Sequence, residues 1–80
     1  MMLPPDPDMM NDNRAAWAWK AIEAFMDVTG TEPQDALADL LCDLMHACDR
    51  FRDEPDIGGF EEQLDRARGF YREETADEAV

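Results

Sequence analysis

Residues 31–52 constrain the fold of this chain more than any other stretch. At about 100° of rotation per residue, Ala36, Leu37, Leu40, Leu41, Leu44, Met45, Ala47, Cys48 and Phe51 gather on one broad face. Asp35, Asp39, Asp43, His46 and Arg50 fall on the narrow opposite strip. That division predicts one long amphipathic helix. Thr31 and Gln34 have the spacing of a capping box, and Pro33 fits the first turn. Arg50 and Arg52 lie near the C-terminal end, where the helix dipole favours cations.

The polar strip of this helix carries a local conflict. Asp35, Asp39 and Asp43 repeat every fourth residue, so like charges stack where opposite charges would each contribute roughly 0.2–0.5 kcal/mol. Asp35 gains from the N-terminal dipole, whereas Asp39 and Asp43 lie too far along to gain. Local rules fail most often at functional sites, so this ladder is the first candidate surface. Its competing explanation is an ordinary solvated face.

The rest of the chain divides around this helix. Residues 1–12 hold Pro4, Pro5 and Pro7 without any period, which forbids a helix there and predicts a flexible arm. Asp12 or Asn13 can cap a first helix that ends before Gly30, a residue suited to the C′ position. Trp17, Ala18, Ala21, Ile22, Ala24, Phe25, Met26 and Val28 cover most of that helix, and Trp19 widens the arc. Trp17 and Trp19 point about 200° apart, so one core cannot easily take both. Trp17, Trp19 and Met26 are therefore expected at an oligomer or partner interface; the alternative is that the N-terminal arm covers the exposed ring.

The short link at Thr29, Gly30 and Thr31 predicts an antiparallel helical hairpin. Pro55, Gly58 and Gly59 break the middle helix, and Asp56 is the expected cap of a last helix over about 59–74. Phe60, Leu64, Ala67 and Tyr71 form its core-facing seam, with Arg66, Arg68 and Arg72 among acids on a salt-bridged outer surface. Residues 75–80 read as a frayed tail. The expected architecture is all-α: a single three-helix domain over residues 13–74.

Size makes a second copy attractive. A chain of 80 residues supports a core worth roughly 3–5 kcal/mol, so a staple or a partner is expected. Cys42 and Cys48 lie six positions apart on one helix, roughly 120° around it, too awkward for a disulfide. Two such cysteines without a secretory signal fit a reducing cytoplasm. Nothing in the chain is apolar for long enough to span a membrane. A homodimer is the default solution.

Charge narrows the function. Twenty acidic and seven basic residues leave a net charge of −13. Counted along the chain, it is −3 over residues 1–30, −6 over 31–57 and −4 over 58–80. Such a field repels nucleic acid and anionic membranes and steers the chain toward a basic protein surface.

Catalytic and metal readings are weaker. Asp39, Asp43 and His46 share a helical face and could approach a transition metal, but helical di-metal sites use inward-facing acids from opposed helices. Glu23, Asp27, Asp39 and Asp43 could supply carboxylates to a metal-dependent nucleotide hydrolase, yet no basic cluster stands ready for the phosphates. Cys48 lies on the apolar arc and Cys42 at its edge, positions of burial rather than reactivity. No cofactor is expected, and no enzyme activity.

In residues 35–50 (DALADLLCDLMHACDR) and 60–74 (FEEQLDRARGFYREE), the chain resembles a group of small helical accessory proteins of plasmids, phages and related mobile elements. The resemblance spans roughly residues 14–74. It rests on helical periodicity and the Asp-Leu-Met-His stretch at residues 43–46. The chain departs from the group at Ala47, where an aromatic residue often follows the histidine. No activity comes with the resemblance, but it implies a setting in which small acidic proteins act by binding. Anti-CRISPR proteins belong to that setting. Under this reading the chain blocks a basic nucleic-acid-binding site on a host defence complex, such as a CRISPR effector subunit. Asp35, Asp39 and Asp43 would make the contact, with Asp49, Asp53 and Glu54 as an adjoining edge. The ladder climbs about 6 Å per step, close to two phosphate steps of about 3.4 Å along one strand. The competing class is a structural or regulatory adaptor that uses the tryptophan-bearing first helix.

Overall fold

A computed structural model describes residues 10–76. The described chain is all-α, with α1 (Met10–Thr29), α2 (Pro33–Phe51) and α3 (Phe60–Glu74). α2 is the middle element in space as well as in sequence, since it packs against both α1 and α3. The arm expected over 1–12 lies outside the described residues as far as residue 9, and residues 10–12 belong to α1. Of the expected tail, residues 75 and 76 form a turn and the remainder lies outside the described residues.

Each helix end has a local cause, and several differ from expectation. Gly30 takes φ 76°, and its N–H donates to the Met26 carbonyl at 2.8 Å. That is the single-bond left-handed cap for which glycine is suited. The capping box expected at Thr31 and Gln34 does not form. The N-cap is Glu32, without a side-chain cap bond, and Pro33 stands in the first turn. The Thr31 hydroxyl instead shares a 2.7 Å hydrogen bond with that of Thr29.

Asp12 and Asn13 lie within α1 rather than capping it. The first turn of α1 is tied down from a distance. The Asn11 side chain donates to the Glu74 carbonyl at 2.9 Å, and Arg14 pairs with the Glu74 carboxylate at 3.5 Å. Asp56 does not cap α3 either. It holds φ 72° in the turn, a conformation a short polar side chain tolerates. Gly59 is the N-cap, and its N–H reaches Glu62 Oε1 at 3.4 Å.

The interior is small. Ala36 alone is fully buried among the described residues. Around it Ile22, Phe25, Met26, Leu40, Ala47, Cys48, Phe60 and Leu64 are half-buried. The apolar arc of α2 is therefore covered on one half only. Leu37, Leu41, Leu44, Met45 and Phe51 remain exposed. The α3 seam faces the interior at Phe60 and Leu64, whereas Ala67 and Tyr71 stand in solvent. Nor do Arg66, Arg68 and Arg72 form the ion pairs expected of the α3 outer surface among the described residues; the pairs there run from Glu62 and Glu74 to other elements. Arg66 bonds Gln63 at 3.0 Å and lies 5.7 Å from the centre of the Phe70 ring.

Candidate functional site

The acidic strip follows directly from the orientation of α2. Ala36, Leu40 and Ala47 turn toward the interior, and the acidic strip is centred about 80° around α2 from them, on the side away from the apolar arc. Asp35, Asp39, Asp43 and His46 are all exposed. Arg50, the cation on the same strip, donates from its guanidinium to the His46 carbonyl at 3.2 Å, a bond within its own helix rather than to a ladder carboxylate. Among the described residues the ion pairs are Arg14–Glu74 and Arg52–Glu62. The three ladder carboxylates thus have no cationic partner among them.

The adjoining acids are less well gathered. Asp49 is exposed on α2 but lies about 80° around the helix from Asp39. It borders a shallow cleft of about 480 Å³ lined by Met45, Cys48, Arg52, Phe60 and Glu62, among others. Asp53 and Glu54 are exposed in the turn beyond the helix. The structure brings Asp35, Asp39 and Asp43 together and leaves the other three acids on a separate edge. The cleft combines Asp49, Glu61 and Glu62 with one arginine already paired to Glu62 at 3.5 Å. That electrostatic balance disfavours an anionic ligand there.

The expected apolar contacts are also distributed unevenly. Trp17 is 59% exposed and Trp19 46% exposed, on opposite sides of α1. Met26 shares the side of Trp19 but is half-buried. Trp17 lines up instead with exposed Ala21, Ala24 and Val28. Sequence reasoning missed the uncovered half of α2. Its signal was the breadth of the apolar arc, close to half the helix circumference and wider than a single packed neighbour covers.

For the catalytic alternatives, the side chains are dispersed. Glu23, Asp27, Asp39 and Asp43 are exposed, and no three His, Cys, Asp or Glu side chains converge as a metal site among the described residues. Cys42 is exposed, not at the edge of a buried face, and Cys48 is half-buried; both thiols are free. None of the described helices is long and apolar enough to cross a membrane.

Comparison of the chain with known protein families, curated proteins and solved structures finds no match.

Proposed function

We propose that the chain is a binding protein rather than an enzyme: a small acidic inhibitor that occupies a basic, nucleic-acid-binding site on another protein. The observation that supports this reading best is the free ladder. Asp35, Asp39 and Asp43 stand in solvent on one strip of a single helix with no cation paired to them among the described residues. Three like charges held at regular steps destabilise the helix, while they remain available to a cationic surface. In its sharpest form, the protein comes from a mobile element and blocks a host defence complex in the cytoplasm, with carboxylates in the place of phosphates.

The test is competition. The chain should displace nucleic acid from its target at low salt and lose that capacity steeply as salt rises. Reversing Asp39 and Asp43 to lysine should abolish displacement while circular dichroism shows the helices intact. Normal displacement by the double variant would remove the ladder from the mechanism.

A second reading is favoured by a separate observation, the exposure of Trp17 and Trp19. In that case the chain is an adaptor whose acidity serves solubility, and aromatic rings anchor the contact. Trp19→Ala would then weaken partner binding more than any charge reversal.

A further inference from the structure

The uncovered half of α2 has a definite pattern. Leu37, Leu41, Leu44, Cys48 and Phe51 advance in alternating steps of four and three, the spacing of residues that meet a partner helix in a coiled coil. Leu37 is 58% exposed, Leu41 41%, Leu44 42% and Phe51 47%. Met45, 48% exposed, flanks the row, and Cys48 is half-buried within it; both also line the cleft beside Phe60, so α3 borders this end of the seam. The row runs about 21 Å along the helix. We propose that this face is a homodimer interface in which α2 packs antiparallel against α2 of a second copy.

Area and symmetry point to a second copy, and the distribution of charge along α2 bears on its direction. Half of five large apolar side chains amounts to roughly 500 Å², in the upper part of the range of about 300–600 Å² for the largest patch of a soluble monomer, a patch that is often functional. A symmetric pair would bury about twice that before its polar rim is counted, the lower bound of a specific interface. Charge selects the direction. Glu32, Asp35, Asp39 and Asp43 occupy the N-terminal half of α2 and its approach, while Arg50 and Arg52 follow at the other end. Parallel pairing stacks acid on acid. Antiparallel pairing sets the more acidic half of each α2 beside the end where Arg50 and Arg52 offset Asp49, although the ladder itself faces away from the seam.

The seam is nearly palindromic about Leu44, which lets two copies meet antiparallel across a two-fold axis with the same row in contact on each. Leu44 meets its own copy at the two-fold axis, and Leu37 lies level with Phe51 of the second copy. The ladder lies roughly opposite this seam on α2, so dimerisation leaves two ladders facing outward. A foreign basic partner has no comparable reason to choose the seam. The inference stands whether or not the ladder binds a target.

Sedimentation of the full chain over a range of concentrations tests it. Twice the mass of one chain is expected, with Leu44→Glu weakening association by on the order of a hundredfold or more, because each dimer would bury two unpaired charges. Leu44 is already exposed in the single chain, so helicity should survive; Leu44→Gln provides a milder second variant. Direction is read by cross-linking in a Cys42→Ser/Cys48→Ser background. Mild oxidation of mixed Leu37→Cys and Phe51→Cys chains should give a disulfide dimer that neither gives alone. The proposal is overturned by a chain that stays monomeric, by a dimer that Leu44→Glu leaves intact, or by cross-linking of each cysteine variant with itself. Dissociation by Trp17→Ala or Trp19→Ala, with Leu44→Glu inert, would also overturn it. Asp39→Lys/Asp43→Lys should leave the dimer intact, so loss of target binding and loss of the dimer are separable outcomes.

Discussion

Single residues in this chain take positions their neighbours could not fill. Gly30 adopts φ 76°, and a Cβ built there meets nothing within 4 Å. The obstacle to a side chain is therefore backbone conformation and not space. Gly30→Ala should cost about 1–2 kcal/mol, visible as a fall in Tm of at least several degrees for a domain of this size. Gly30→Asn should recover part of that loss, since asparagine tolerates the left-handed region. An unchanged Tm for the alanine variant would show that the α1 cap contributes little. Asp39 presents the reverse case, a residue whose helix would be better without it. It has Asp35 four residues before and Asp43 four residues after. Asp39→Lys converts two repulsive pairs into two attractive ones, and should stabilise the fold by about 0.5–1 kcal/mol in urea unfolding at low salt. The same substitution should weaken target binding. A gain in stability coupled to a loss of binding is the signature of a residue held for recognition, and a loss of both would point to a structural role.

At the level of elements, the contact of α2 with its neighbours centres on Ala36, which is fully buried. Small size at that position sets how closely the neighbours approach. Ala36→Leu should therefore overpack the site and cost about 1–3 kcal/mol, measured as a lower urea midpoint with the slope unchanged; a neutral result would mean the helices are not in close contact there. The sequence disclosed three helices and where each ends to within a residue or so, but none of the N-caps it suggested forms. Periodicity marks α2 and α3, while Gly30, Pro55, Gly58 and Gly59 punctuate the chain. It also placed Asp35, Asp39 and Asp43 on one polar strip, because rotation per residue is a local property. The start of α1 was less legible. Its first turn is held by Asn11 and Arg14 reaching Glu74, contacts that span sixty or more residues and that no local cap signal announces. The half-covered arc of α2 escaped for a related reason. Periodicity tells which face is apolar, but how much of that face is covered depends on how the neighbours pack, which the pattern of one helix does not contain.

Taken whole, the molecule sets a net charge of −13 against an interior with a single fully buried residue among those described. Those two properties respond to salt in opposite directions. Self-repulsion opposes both the compact chain and the approach of a second copy, and added salt screens it within about 10 Å at 0.1 M. The apolar α2 seam, by contrast, gains nothing from long-range attraction and loses nothing when charges are screened. Dimer affinity should therefore rise as salt increases from low to physiological ionic strength. Tm should become dependent on protein concentration, since association stabilises the folded state by mass action. Binding to a basic target should fall over the same range, because its on-rate draws on the field that salt removes. Sedimentation and competition assays on one salt series would read both trends. A dimer that weakens with salt would place its energy in charge pairs rather than in Leu37, Leu41, Leu44 and Phe51. A target complex indifferent to salt would shift the recognition surface from the aspartate ladder to the tryptophans of α1.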